Sequence, residues 1–330
     1  MTTAEPAHIP VMLAEVLEFL SPRAGASYVD ATFGAGGYAK AIIESAACRV
    51  FGIDRDRAAV ARGAEISRHY GARLQILHGS FGDMENLLNQ AGATRVDGVA
   101  FDLGMSSAQL DAAERGFSFR FDGPLDMRMD RDRGETAADV VTTLSEERLA
   151  DIVYQYGEER AARRIARLIV QARGQAPIER TEQLAELVRS VVRKSPGNID
   201  PATRTFQALR IYVNDEIGEL DRGLRAAERL LAAGGRLCVV SYHSLEDRTA
   251  KAFLRARSGS SPRTSRYLPD VAGADVAAPP PSFRLLHRGA VRPSAAEVAA
   301  NPRARSARLR AAERTAAPPW PGAPLTRRAA

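Results

Sequence analysis

Apolar residues recur along this chain in two rhythms that alternate. Leu13, Val16, Leu17 and Leu20 keep a helical period, opened by His8 to Met12 and ended at Pro22. Short apolar runs then take turns with longer helical patterns. Residues 28–32, 49–53, 73–77 and 96–101 read as strands, the second closed by Asp54 and the fourth by Asp102. Between them, 38–45, 58–70 and 84–90 read as helices. Strands alternating with helices predict an α/β fold built on a parallel, doubly wound sheet.

After Asp102 the rhythm breaks, and the next strand pattern is 236–241, introduced by Gly234 and Gly235. Ordinary connections are short, so the stretch between predicts an inserted, mainly helical domain. It starts with a loop rich in Gly, Asp and aromatics, 103–133. Three helical stripes follow: Leu149, Ile152, Val153 and Tyr156; Ala161, Ile165, Leu168 and Ile169; Leu184, Leu187, Val188, Val191 and Val192. One long helix over 203–231 then returns to the sheet. Beyond the fifth strand, 246–257 is helical, and 283–288 and 303–314 supply the last strands. The expected organisation is a sheet domain in two parts, 1–110 and 206–315, around an inserted substrate-recognition domain, 111–205. The Ser-, Pro- and Ala-rich stretch 258–281 is expected to be mobile and 316–330 a disordered tail. No internal repeat is present.

Composition narrows the function classes. With 330 residues, 45% of them hydrophobic, the chain can bury a sizeable core. No apolar run is long enough for a membrane span and the N-terminus lacks signal-peptide features, so no membrane partner and a cytoplasmic location are expected. Cys48 and Cys238 have no metal or redox spacing. The net charge of +6 favours an anionic partner, nucleic acid first, although a cationic balance carried by arginine can equally reflect genome composition.

The candidate chemistry gathers at strand ends. Tyr28 to Tyr38 runs strand, glycine turn, helix, with Gly34, Gly36 and Gly37 in the turn. Such a turn offers backbone N–H groups to a ligand. It is not the dinucleotide fingerprint, and Asp30 beside it suits a cationic or zwitterionic ligand better than a pyrophosphate. Asp54, 20 residues after Gly34, can accept both hydroxyls of a ribose or simply cap a helix. Phe81 can cover an adenine face or serve as a rim hydrophobe. Asp102 ends the fourth strand beside the change in connectivity, and His243 ends the fifth, as a crevice residue or a structural histidine. No catalytic Cys, Ser-His-Asp set or metal-type cluster is spelled out, so the apparatus suits a nucleoside-bearing cofactor that carries its own reactive group. An NAD-dependent oxidoreductase lacks its fingerprint here. A non-catalytic assembly factor is the third alternative.

Longer motifs sharpen this. Asp30-Ala-Thr-Phe-Gly34-Ala-Gly36-Gly37, Asp102-Leu-Gly-Met-Ser106-Ser107 and Gln109-Leu110-Asp111 resemble the bacterial 16S rRNA cytosine-N(4)-methyltransferases of the MraW type. So do Arg115 to Phe119, Asp122 to Met129, Pro201 to Arg210, Ser241 to Arg248 and Asn301 to Ala307. The resemblance spans His8 to Arg314. It implies a class I, Rossmann-like methyltransferase sheet, S-adenosyl-L-methionine as cofactor, and as substrate a cytidine amine in the decoding centre of 16S rRNA within the small ribosomal subunit. It implies cofactor contacts at Gly36, Gly37, Tyr38, Asp54, Phe81, Asp102 and Gln109. Asp30 and Gly34 join this set from the turn itself. Asp102 and His243 are the expected catalytic pair, Asp102 accepting a hydrogen of the amine. Arg160, Arg163, Arg164, Arg167 and the Lys194 loop are expected to face RNA. Monomer or dimer stays open. Three positions depart from the family's usual residues: Tyr38 for His, Asp200 for His and Tyr242 for Phe.

Overall fold

Strand order is what turns the linear alternation into a site. The computed structural model describes residues 10–192, 200–259 and 279–321. Helix α1 (Leu13–Leu20) precedes β1 (Ser27–Asp30), α2 (Gly37–Ser45), β2 (Arg49–Asp54), α3 (Arg57–Tyr70), β3 (Leu74–His78), α4 (Met84–Gln90) and β4 (Val96–Asp102). The inserted stretch holds α5 (Ser107–Asp111), α6 (Ala137–Thr143), α7 (Glu146–Gly157), α8 (Ala162–Arg173), α9 (Thr181–Val191) and α10 (Thr203–Val213). Helix α11 (Glu216–Leu230), β5 (Leu231–Ser241), α12 (Ser244–Arg257), β6 (Phe283–Leu285), α13 (Ala295–Ala300) and β7 (Arg308–Arg314) complete the chain.

The sheet has seven strands in the order β3-β2-β1-β4-β5-β7-β6. Strands β1 to β5 are parallel, while β7 runs antiparallel to β5 and β6. The chain order reverses beside β1, whose neighbours are β2 on one side and β4 on the other. Ligands of open α/β sheets bind at the carboxyl ends of the strands at such a point.

The central strands β1, β2 and β4 are buried on both faces, and side-chain alternation sorts the core. Val29, Phe51, Val99, Phe101, Leu237 and Val239 point to one face, where Leu220, Leu224 and Phe253 of α11 and α12 cover them. Tyr28, Val50, Ala100, Cys238 and Val240 point to the other, against Val16, Leu20, Ile42 and Ile43 of α1 and α2. Full burial of a Leu- or Phe-sized side chain contributes about 1.5–3 kcal/mol, so these two layers fix the strand ends that carry the polar residues.

The chain divides into two compact units, 1–104 with 218–330, and 105–217. The expected boundaries, 110/111 and 205/206, lie 6 residues after the first observed boundary and 12 before the second. In the second unit Leu149, Val153, Ile165, Ile169, Leu184 and Val188 form the core with Phe206 and Leu209, so the expected stripes are its inward faces. Three expectations differ from the structure. The long helix over 203–231 is two helices, because Asn214 caps α10 and Asp215 turns left-handed at φ 47°. Strand β5 starts at Leu231 rather than 236, taking in Gly234 at φ 83° as an irregularity in its pairing with β4. The chain from Ala316 was expected to be disordered, yet Arg314 Nη1 donates to the Ala317 carbonyl, and Trp320 donates from its backbone N–H to Glu228 and from Nε1 to the Pro280 carbonyl. Residues 322–330, Lys194 and most of 258–281 lie outside the described residues.

Candidate active site

Three aspartates end three adjacent parallel strands: Asp54 on β2, Asp30 on β1 and Asp102 on β4. Their surroundings give them different work. Asp30 is buried, and its carboxylate accepts from Thr32 N at 3.3 Å and from Ala39 N at 3.0 Å. It therefore ties the end of β1 to the first turn of α2 from behind the glycine turn. Burial raises its pKa to about 7 against those two N–H groups, and the Asp102 and Asp54 charges push the same way.

The turn is braced at two of its donors. Gly34 donates to Asp54 Oδ2 at 2.7 Å and Gly36 donates to the Phe33 carbonyl at 2.6 Å. Gly36 sits at φ 76° as the N-cap of α2, and a Cβ there would meet the Phe33 ring at 2.7 Å. With the Ala39 N–H given to Asp30, Gly37 and Tyr38 supply the first-turn N–H groups that no intrahelical carbonyl reaches. The replacement at position 38 is absorbed elsewhere: Tyr38 is buried, and its hydroxyl donates to the Val11 carbonyl at 2.5 Å. Its backbone N–H stays at the helix start, so a contact through backbone survives the change of side chain.

Asp54 is half-buried and accepts from Gly34 N and, at 2.8 Å, from Asp56 N. Burial raises its pKa, against the Asp56 and Gly34 N–H groups. Phe81 follows β3. Its ring packs edge-on against Phe101, centroids 5.5 Å apart, with Gly223 close enough that a Cβ there would lie 2.8 Å from it. Its loop is held by Glu219, which accepts from Ser80 Oγ and, at 3.0 Å, from Gly82 N. The sequence reading did not single out Glu219.

Asp102 is half-buried at the end of β4. Its backbone N–H donates to Thr32 Oγ1 at 2.6 Å, joining β4 to the end of β1. Its carboxylate accepts from the Tyr242 hydroxyl at 2.7 Å. Burial raises the Asp102 pKa to about 6, the Tyr242 hydroxyl and the Gly104 N–H pull it down, and Glu246 pushes it up. Burial, followed by the Asp102 charge, holds Tyr242 well above the ordinary range, so the hydroxyl remains a donor. The Tyr242 ring lies against Gly104, where a Cβ would come within 2.7 Å. The residue noted only as a departure from the family pattern is thus the direct hydrogen-bond partner of the expected catalytic carboxylate.

His243 is the N-cap of α12. Its Nδ1 accepts from Glu246 N at 3.4 Å, while Glu246 Oε2 accepts from Tyr242 N at 2.8 Å and His243 N at 3.3 Å. The sequence reading did not name this cap; the spacing His243-x-x-Glu246 is that of a capping box, with His where Ser or Thr is usual. His243 Nε2 is 3.1 Å from Glu246 Oε1 but is not aligned for a hydrogen bond. Gln109 belongs to the other unit, where it is buried and completes the cap of α5 with Ser106. In that unit Arg160, Arg163, Arg164 and Arg167 are exposed while Ile165 and Ile169 are buried. Arg164 donates to the Val191 carbonyl at 2.8 Å and Arg167 pairs with Glu146 at 3.5 Å.

Three carboxylates at neighbouring strand ends, two of them half-open, favour a ligand that brings positive charge. Among the described residues, those at these three strand ends carry no cation that would neutralise a pyrophosphate. Comparison with known proteins agrees with that chemistry. The model of the MraW methylase family matches residues 5–315. A protein of Rhodospirillum rubrum named Ribosomal RNA small subunit methyltransferase H is 59% identical over 317 residues, covering 96% of this chain and 97% of its own. One of the same name from Rhodospirillum centenum is 63% identical over 311 residues, covering 94% and 93%.

Proposed function

Because the chain belongs to the MraW methylase family, we propose that it methylates the exocyclic N(4) amine of a cytidine in the decoding centre of 16S rRNA, within the small ribosomal subunit in the cytoplasm. The cofactor is S-adenosyl-L-methionine, which supplies an activated methyl group on a sulfonium. The observation that carries the reading is the pair of half-buried carboxylates, Asp54 and Asp102, on the two strands flanking the β1 glycine turn. A zwitterion with a cationic centre fits between them, and the Gly37 and Tyr38 N–H groups suit its carboxylate.

The chain's own residues then divide the work. Asp54 takes the ribose hydroxyls through the lone pairs that Gly34 and Asp56 leave free, and Phe81 lies against the adenine. Asp30 and Gly34 act by shaping the turn, and Gln109 completes the cofactor set that the family resemblance implies. A cytosine amine is a weak nucleophile because its lone pair is delocalised into the ring. Asp102, ionised, accepts one amine hydrogen, favours pyramidal nitrogen and directs the lone pair at the methyl group. The proton leaves to Asp102 or to water after transfer. His243, fixed by its cap, borders the base. The target nucleotide must leave any stack to reach this strand edge. The exposed Arg160, Arg163, Arg164 and Arg167 face contacts the rRNA backbone.

Methyl transfer from labelled cofactor to small subunits lacking the modification tests this directly. Label is expected in N(4)-methylcytidine at one position. Label in another nucleoside, or none with active cofactor binding, would refute the substrate assignment.

A further inference from the structure

A concave site lies on the sheet unit, lined by none of the three strand-end aspartates. Between α12 and the β6–β7 edge a cavity of about 270 Å³ is ringed by Lys251, Arg255, His287, Arg288 and Arg310. Among the described residues, no acidic side chain lines it. Arg310 is held by Asp247 at 2.8 Å, and the second oxygen of Asp247 accepts from Arg308 at 2.8 Å, so that carboxylate is used up. On the same helix Arg257 is buried against Glu228 at 2.6 Å. By contrast Lys251, Arg255 and Arg288 are exposed at the cavity and have no acidic partner among the described residues. Lys251 and Arg255 stand one helical turn apart, on the same face of α12. Leu254 and Leu285 give the cavity an apolar floor.

Elsewhere in this chain a number of arginines are matched to carboxylates, as at Arg210–Glu216, Arg225–Asp221 and Arg229–Glu85. A concavity with several unmatched cations and no acid is therefore built for an anion supplied from outside. Its place gives the class. Lys251 is eight residues beyond His243, about 12 Å along α12 from the strand edge that carries Asp102. That separation is roughly three to four stacked nucleotide steps of a strand.

We propose that this cavity holds backbone phosphodiesters of the rRNA strand that flanks the target nucleotide, fixing its register on the sheet unit. The proposal rests on the rRNA reading above. It assigns a contact to a surface of the sheet unit, outside the inserted domain.

The test uses the full chain with Lys251→Ala, Arg255→Ala and Arg288→Ala combined. Binding to 16S rRNA and to unmodified small subunits is measured across salt concentrations, together with methyl transfer and calorimetric affinity for S-adenosylmethionine. Three lost phosphate contacts reduce the salt slope of single-strand binding by roughly two. Affinity for the RNA substrate is expected to fall on the order of ten- to a hundredfold at low salt, with KM raised and cofactor affinity unchanged. An unchanged salt slope and KM in a folded variant would overturn the site as an RNA contact, whether the cause is an acidic protein partner or a merely solvated patch. Inorganic phosphate is the second arm. If it raises the wild-type melting temperature but not the variant's while RNA binding is the same for both, the cavity takes free phosphate and the proposal fails. Failure of the wild-type chain to methylate any rRNA would instead count against the underlying function, a separable outcome.

Discussion

Tyr242→Phe removes one hydroxyl and leaves the ring that packs on Gly104. In the native protein that hydroxyl donates to Asp102 Oδ1 at 2.7 Å, and Asp102 titrates near 6 as a balance of burial against this bond and the Gly104 N–H. A hydrogen bond to a charged group is worth about 1.5–3 kcal/mol, and one pH unit corresponds to about 1.36 kcal/mol. The bond favours the ionised carboxylate, so its loss moves the Asp102 titration upward, on the order of one unit or more. If the ionised form guides the amine, the acid limb of the methyl-transfer rate moves to higher pH by the same amount. The variant is expected to be slow near neutrality and to recover towards the wild-type rate on the alkaline side. Single-turnover transfer at saturating cofactor, from about pH 5 to 9, reads this out. Asp102→Asn is the control: its residual rate, expected to be lower by on the order of a hundredfold, should lack that limb. Superimposable wild-type and Tyr242→Phe profiles would refute the link between the hydroxyl and the carboxylate. Normal turnover in Asp102→Asn would instead remove Asp102 from the chemistry.

Asp54→Ala is expected to weaken cofactor binding on the order of ten- to a hundredfold, the loss of a charge-assisted contact; unchanged calorimetric affinity in a folded variant would exclude the ribose role. Asp30 makes stability depend on pH, because its folded pKa of about 7 lies above the ordinary carboxylate value. Its stabilising contribution is complete in acid, below the unfolded pKa, and disappears as pH rises through about 7, a change on the order of a few kcal/mol. Chemical denaturation of the cofactor-free protein and of Asp30→Asn should therefore show a pH slope in that window for the first and a shallower one for the second; parallel slopes would contradict it. Reversing Arg160 and Arg163 to Glu should flatten the salt dependence of subunit binding while sparing cofactor affinity. An unchanged slope would put the footprint elsewhere.

The sheet elements were legible because they rest on local chemistry. Apolar runs bounded by turn residues marked β1 to β4 within a residue or two, and placed Asp54 and Asp102 at strand ends with Asp30 just before the glycine turn. The glycine turn was legible for the same kind of reason: Gly36 needs a positive φ and a bare Cα beside Phe33. The stripes at Leu149, Ile165 and Leu184 named the core of the inserted unit before any partner was known.

What the pattern could not supply was partnership. Nothing local separates a buried aspartate that ties a turn together from a half-open one that meets a ligand, yet Asp30 and Asp54 differ in just that respect. Tyr242 stood out in the sequence only as a departure from the family's usual Phe; its hydroxyl lies on Asp102, 140 residues away in the chain. The break at Asp215 and the ordered Trp320 segment were missed because propensity covers neither a left-handed residue inside a helical pattern nor a tail anchored by a buried Glu228. Side-chain periodicity and backbone freedom were enough to mark β1 to β4, the glycine turn and the carboxylates beside it, since each depends on residues close in the chain. Tertiary structure alone decided that β1 lies between β2 and β4, that β7 enters antiparallel, and that three unmatched cations share one cavity, because each depends on contacts between residues far apart in the chain.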